Sequence, residues 1–64
     1  MKTTTYYVKK DRDIISSYAD FGAAAEYAFL FKKKLSVTAK VTVIEVVRES
    51  DDMISSINEV LILS

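Results

Sequence analysis

Hydrophobic and polar positions follow a strand-like period at both ends of this chain and a helix-like period in the middle. β-Branched and aromatic residues dominate Thr3–Lys10 and Ile14–Ala19, which is typical of strands. The polar run Lys10–Asp13 between them predicts a turn. Because that run contains no glycine, we expect a loop of about four residues instead of the tight two-residue type. The first twenty residues therefore predict a β-hairpin.

A second hairpin is predicted from Val37–Arg48 and Met53–Leu63, joined by a polar turn at Glu49–Asp52. The alternation of apolar and polar residues slips by one position where Val43 is followed directly by Ile44. This slip indicates either a β-bulge near these two residues, which we favour, or a strand that is apolar on both faces there. The last strand contains a polar pair, Asn58-Glu59, at which we expect a possible interruption.

The segment Asp20–Leu35, between the two hairpins, predicts one helix. Asp20 suits the N-cap position because its carboxylate can accept the unpaired N–H groups of the first turn. Lys32, Lys33 and Lys34 suit the other end, where cations complement exposed carbonyl groups. The predicted fold is therefore α+β: a ββαββ chain with a four-stranded, mainly antiparallel sheet made of two hairpins and one helix on one face. We expect a single domain, 1–64, with hairpins at 3–19 and 37–63 and the helix at 20–35.

The two predicted hairpins contain an internal sequence repeat. Asp13–Asp20, with the sequence DIISSYAD, resembles Asp52–Glu59, with the sequence DMISSINE, at a constant offset of 39 residues. Val8-Lys9 aligns with Val47-Arg48 at the same offset. The repeat can result from duplication of one segment or from independent use of similar residues in two similar hairpins. Both explanations predict matching strand-turn-strand units on either side of the helix.

The helix is apolar on more than one side. A stripe of Phe21, Ala24, Ala28, Phe31 and Leu35 is predicted to pack on the sheet. Ala23, Tyr27 and Leu30 form a second stripe, and Phe29 points to the other side. A helix that is apolar nearly all round is buried on more than one face, so we predict an interface at Ala23, Tyr27, Phe29 and Leu30 for a second copy of the chain. The alternative is that Tyr27, Phe29 and Leu30 cover sheet edges within one copy.

An intermolecular sheet is the alternative route to self-association. The C-terminal run Val60–Leu63 is apolar, and few charges protect it as a strand edge. The sequence leaves open whether this run pairs within one copy or with another chain.

The composition favours self-association. A chain of 64 residues buries only about 60% of its unfolded surface, so its folded state is only marginally stable without additional stabilisation. The chain contains no Cys and no His, so disulfides and common zinc sites cannot provide that stabilisation. Half of the residues are hydrophobic, which excludes disorder, yet no apolar run reaches the ~20 residues of a membrane span. We therefore expect a cytoplasmic protein that forms a homodimer and does not bind membranes.

The residues offer little for catalysis. Without His or Cys the usual nucleophile and base pairs are missing, and the single glycine, Gly22, excludes a glycine-rich phosphate loop. We expect no enzyme activity, no metal site and no cofactor. Turn residues at the two predicted hairpin tips are the remaining polar candidates, and their carboxylates would meet if the tips aligned. These possible hairpin-tip contacts are Asp11, Arg12, Asp13, Asp51 and Asp52.

Nucleic-acid binding is an alternative function. The lysines at the helix end could form a basic patch, and Tyr6, Tyr7 and Tyr18 on a sheet could stack bases. Against this, Lys plus Arg equals Asp plus Glu at nine each, so no overall positive field attracts phosphate. We regard nucleic acid as a possible but unlikely partner.

In size and composition, this short hydrophobic ββαββ chain without Cys, His or Pro resembles the orphan proteins of phages and mobile elements. Several of these inhibit host defence systems by binding a partner or by sequestering a small molecule. The leading prediction is therefore a non-enzymatic, self-associating interaction protein that binds an unknown protein partner, with an inhibitor of this kind as its concrete form. The alternatives are a small nucleic-acid-binding accessory protein and a small-ligand sponge with its pocket at the dimer interface.

Overall fold

The computed structural model describes residues 2–35 and 38–64 and confirms the ββαββ fold. Its four strands form one antiparallel sheet in the order β2-β1-β3-β4, with β2 and β4 at the edges. The pairing of β1 with β3 joins the two hairpins, so the helix connects β2 to β3 across one face of the sheet. The elements are β1 (Thr3–Lys10), β2 (Asp13–Tyr18), α1 (Phe21–Leu35), β3 (Val41–Ser50) and β4 (Met53–Leu63).

Helix α1 begins as the sequence predicts. The Ala23 amide donates a hydrogen bond of 3.0 Å to the Asp20 carboxylate, and the Ala24 amide donates to the Asp20 carbonyl oxygen at 3.2 Å. Asp20 is therefore the N-cap. At the other end Lys32 donates to the carbonyl oxygen of Ala39 and so ties the helix to the segment before β3. Among the described residues, no helix combines the length and the apolar character that crossing a membrane requires.

Both hairpins turn more tightly than the sequence suggested. Lys10 pairs with Asp13 and Ser50 pairs with Met53, so each loop contains only two residues. The expectation of a four-residue first loop was wrong because Asp11 adopts the left-handed conformation, with φ 54°, that was assumed to require glycine. The backbone N–H of Asp11 donates to the Lys40 carbonyl oxygen at 2.7 Å, and its carboxylate accepts the Lys40 amide at 3.1 Å. These two bonds hold the turn.

The predicted irregularity at Val43 and Ile44 is present, but its extra residue lies on the partner strand. Val43 pairs with Leu61 and Ile44 with Glu59, which leaves Val60 of β4 unpaired, while the ladder between β1 and β3 is continuous. The slipped pattern in β3 arises because the strand is buried on both faces: Val43 faces the helix and Val46, only 3% exposed, lies on the opposite face. Strand β4 continues through Asn58-Glu59 without interruption.

Strand β3 begins at Val41, four residues later than predicted. The predicted start at Val37 lies outside the described residues.

The internal repeat is reproduced in the structure only for the first strand of each hairpin. An offset of 39 residues maps Tyr6 onto Glu45, and these two residues are directly paired across the centre of the sheet, so a local two-fold axis through this pair relates β1 to β3. Strands β2 and β4 correspond at an offset of 40 residues, because Val8 pairs with Ser16 whereas Val47 pairs with Ser56. The register also shifts at the equivalent step of each hairpin, between Val8 and Lys9 and between Val47 and Arg48.

The core lies between α1 and the centre of the sheet. Val8, Val41 and Val43 are fully buried beneath Ala24 and Ala28, whose small side chains let the helix approach closely. The predicted core stripe of α1 is otherwise less buried. Phe31 packs against this cluster but is only partly buried. Phe21, at the start of the helix, is 40% exposed, and its ring makes an edge contact with the ring of Tyr6. The side chain of Leu35 is not among the described parts of the structure.

Candidate interaction surfaces

The four helix residues predicted to form an interface do not share one environment. Ala23 and Leu30 are exposed, and Tyr27 is half-buried against the core. Phe29 is 54% exposed and lies on the outer face of α1, away from the other three. Tyr27 therefore covers the β2 edge within one copy, as the alternative interpretation expected, whereas Phe29 and Leu30 remain accessible.

Ala23, Tyr27 and Leu30 line a shallow groove between α1 and strand β2, together with Tyr18 and Glu26. Its volume is about 290 Å³. The sequence identified three of these residues from the helical period, but it could not identify Tyr18. That contact depends on β2 being the edge strand beside this flank of the helix.

The wall of the groove is continuous with a row of three aromatic rings. The Tyr18 and Tyr27 ring centroids are 5.9 Å apart with the planes inclined at 45°. Tyr27 also stacks on Phe31 at 5.8 Å with an angle of 16° between planes. Contacts of this kind fix both ring positions, so the groove is formed before any ligand binds.

A second accessible surface lies on strand β4 and was only partly anticipated. The C-terminal run Val60–Leu63 indicated an apolar edge in the sequence, but the exposed residues extend along the whole strand. The large apolar side chains of β4 that are exposed are Met53, Ile54, Ile57, Val60 and Ile62. Helix α1 cannot cover them because it packs over the centre of the sheet.

The strand register shows which face these side chains occupy. Ile57 pairs with Val46 and Ile62 with Thr42, and both partners lie on the face opposite α1. Ile54 pairs with Arg48 on that same face. We call this surface the open face; it is apolar along β4.

The hairpin tips do not meet. Lys10 pairs with Val41 and Thr3 with Arg48, so the loops Asp11-Arg12 and Asp51-Asp52 lie at opposite ends of the sheet. The carboxylates of Asp11, Asp13, Asp51 and Asp52 would meet only if the two tips aligned, and they do not align, because antiparallel pairing of β1 with β3 directs the two hairpins in opposite directions. Within residues 2–35 and 38–64, no cluster of three acidic, His or Cys side chains that could hold a metal ion occurs.

The three tyrosines of the β1–β2 hairpin do not form a stacking platform. Tyr6 and Tyr18 face the helix, where their rings contact Phe21 and Tyr27. Tyr7 lies on the open face, where the Arg48 guanidinium sits 5.7 Å above its ring centroid and donates a 3.1 Å hydrogen bond to its hydroxyl oxygen. The rings therefore lie on opposite faces of the sheet and do not form one surface on which successive bases could stack.

One polar pair marks the centre of the sheet on the helix side. The Tyr6 hydroxyl donates a 3.0 Å hydrogen bond to the Glu45 carboxylate. This hydrogen bond, with smaller contributions from burial and from the negative charges of Glu45 and Asp20, raises the pKa of Tyr6 above its ordinary value of 10.0.

Comparison of the chain with protein-family models, with curated proteins and with solved structures found no match.

Proposed function

We propose that this chain is a small, non-enzymatic interaction protein that associates with a second copy of itself and acts by binding a partner. The observation that carries the proposal is the apolar surface of β4, where five large side chains are exposed on one edge strand. Exposed apolar surface of this kind marks interaction sites in soluble proteins.

The total exposed area supports association. A folded monomer of 7.2 kDa typically exposes about 4,100 Å², whereas this chain exposes 4445 Å². A stable interface covers about 800 Å² on each partner. The exposed area of this chain is therefore larger than that of a typical monomer, as expected for a chain that buries additional surface when it assembles.

The edge of β4 favours a second copy as the occupant of that surface. This strand has eleven residues, about 35 Å in length, and Glu59 is its single charged residue. Edge strands normally carry charges or bulges that prevent pairing with other chains. Strand β2, the other edge, has only six residues, begins with Asp13 and has a bulge at Ile15. Strand β4 has bulges as well, at Ser55 and Val60, so its greater length with a single charge is what distinguishes it. Pairing of β4 with β4 of a second copy is therefore isologous, and it closes as a dimer instead of extending into a fibre.

This arrangement leaves the flank of α1 for a different partner. Three of the four predicted interface residues, Ala23, Tyr27 and Leu30, then serve partner binding, with the dimer presenting two copies of the groove. In its concrete form the proposal is a cytoplasmic inhibitor of a host defence system, of the kind found in phages and mobile elements. It is supported by the small α+β fold and the accessible apolar surfaces. The nucleic-acid alternative has less support because the rings of Tyr6 and Tyr18 are packed against the helix.

Sedimentation equilibrium on matched variants tests the proposal. Ile57 on the open face and Leu30 on the helix flank are 57% and 54% exposed, so lysine at either position should leave the monomer folded. We expect a concentration-dependent dimer for the wild-type chain and for Leu30→Lys, and a monomer for Ile57→Lys. Circular dichroism of each variant checks the fold.

Three results would overturn this assignment. A wild-type chain that remains monomeric at every concentration removes self-association altogether. An Ile57→Lys variant that dimerises like the wild type removes β4 from the interface. Loss of the dimer in Leu30→Lys alone assigns self-association to the helix flank.

A further inference from the structure

We propose that the groove beside α1 binds the side chain of an exposed arginine on a protein partner. This inference rests on the proposed function, because it specifies the chemistry of the partner that an interaction protein of this kind would recognise. It is argued from the size of the groove, its aromatic wall and its single charged group.

The size of the groove matches a side chain better than a cofactor. Pockets for small molecules typically occupy about 300–1,000 Å³ and enclose most of the ligand. At about 290 Å³ and open to solvent along one side, this groove lies just below that range. A single long side chain that enters from another protein surface fits such a space.

The charge of the groove selects a cation. Glu26 is the only ionisable carboxylate or amine among the residues that line it. Within the described parts of the chain, no hydrogen bond or ion pair involves the Glu26 side chain. Lys33 and Lys34 lie two turns further along α1, about 10–12 Å along the axis, a separation at which salt screens most of their repulsion. A cationic ligand can therefore pair with Glu26.

The aromatic wall favours a guanidinium over an ammonium group. A planar guanidinium stacks on aromatic rings and pairs with a carboxylate through two parallel hydrogen bonds, whereas an ammonium is a compact, strongly hydrated charge. Tyr18 and Tyr27 supply the rings, and Leu30 supplies apolar contact for the methylene stem. The same chemistry already occurs on the open face, where Arg48 lies over the ring of Tyr7 and donates to its hydroxyl.

A second copy of the chain is a poorer source of this arginine. Arg48 is engaged with Tyr7, which leaves Arg12 at the β1–β2 tip. Insertion of Arg12 into the groove of another copy would be a head-to-tail contact, and such contacts close into rings or propagate as filaments. The arginine is therefore assigned to a different protein.

Nuclear magnetic resonance titration of the full chain with N-acetyl-arginine methylamide tests this site. We expect saturable shifts confined to the amides around Tyr18 and the segment Ala23–Leu30. The neutral isostere, N-acetyl-citrulline methylamide, should bind at least about threefold more weakly. Glu26→Gln should weaken arginine binding by about threefold to tenfold, while Asp52→Asn, in the exposed turn between β3 and β4, serves as the matched control and should leave it unchanged.

Equal binding of the citrulline and arginine compounds would overturn the proposal, as would full affinity in Glu26→Gln or shifts centred outside the groove. Loss of the wild-type dimer in Arg12→Gln would instead assign the occupant to a second copy and would equally overturn it. The Glu26 and Asp52 substitutions lie on α1 and in the β3–β4 turn, outside the open face, so failure here leaves the sedimentation result unaffected. The two proposals can therefore fail separately.

Discussion

The single glycine of the chain makes a sharp test of how α1 begins. Gly22 is in the first turn of the helix and has no positive φ, so its backbone conformation does not require glycine. A Cβ added at this position would lie 2.9 Å from the Asp20 carboxylate oxygen that caps the helix. We infer that glycine is present to leave room for the cap. Gly22→Ala should therefore change stability little when the Asp20 side chain is present and stabilise the chain when it is absent.

The magnitudes follow from the two competing effects. Replacing glycine with alanine inside a helix stabilises it by up to about 1 kcal/mol. Losing an N-cap costs about 1 kcal/mol. In the wild-type chain Gly22→Ala displaces the Asp20 carboxylate, so these effects nearly cancel and the free energy of unfolding should change little. In the Asp20→Ala background no carboxylate is displaced, and the same substitution should stabilise the chain by about 0.5–1 kcal/mol.

A double-mutant cycle measured by urea denaturation gives the coupling directly. The wild-type chain, both single variants and the double variant are compared at one fixed protein concentration, because self-association would otherwise contribute to stability. We expect a coupling of at least about 0.5 kcal/mol between the two positions. If Gly22→Ala changes the free energy of unfolding equally in both backgrounds, the cap does not explain the glycine.

Three further substitutions probe the turn, the core and the central polar pair. Asp11→Ala should lower stability by about 1–2 kcal/mol, because it removes the acceptor for the Lys40 amide and leaves alanine in the left-handed conformation; Asp11→Asn should stay close to wild type in the same denaturation assay. Val43→Ala, at a fully buried position, should lower the free energy of unfolding by about 1.5–3 kcal/mol. Ile62→Ala, on the open face, should lower it by less than about 1 kcal/mol in a monomeric sample, and equal losses at the two positions would contradict the assigned core. Because the pKa of Tyr6 is raised in the folded chain, its contribution to stability is fully present below the unfolded value of 10.0 and is lost as the pH rises through the folded value. The stability difference between wild type and Tyr6→Phe should therefore stay constant up to about pH 9 and shrink as the pH rises above 10.0, and a difference that does not shrink there would refute the role of the Glu45 hydrogen bond.

The fold was predictable where the signal is local. Strand-forming runs, the Asp20 cap and the lysines at the helix end depend on neighbours within a few residues, and they placed the five elements correctly. The strand order and the direction of the hairpins depend on which strands pair over long separations, as Tyr6 does with Glu45. No local pattern specifies that pairing. This is why the sequence left open whether the Asp11 and Asp51 turns align, and the structure places them at opposite ends of the sheet.

The candidate surfaces were predictable to the same extent. The helical period identified Leu30 as accessible, because the angle between helix residues is fixed by the helix itself. It could not separate Tyr27, which contacts β2, from Phe29, which contacts solvent. The exposed face of β4 was missed because period-2 alternation alone does not say which side of a sheet the helix covers. The bulge at Val60 further shifts the alternation along that strand.

Hydrogen exchange at the amides of β4 tests the account's central claim most directly. In a monomer, the outward-facing amides of this edge strand have no partner strand and should exchange rapidly, while the inward-facing ones are bonded to β3. If β4 pairs with β4 of a second copy, alternate amides between Ile54 and Ile62 become protected as the protein concentration rises, and Ile57→Lys abolishes that protection. Rapid exchange of the same amides at every concentration, in a chain that sediments as a dimer, would contradict association through this edge.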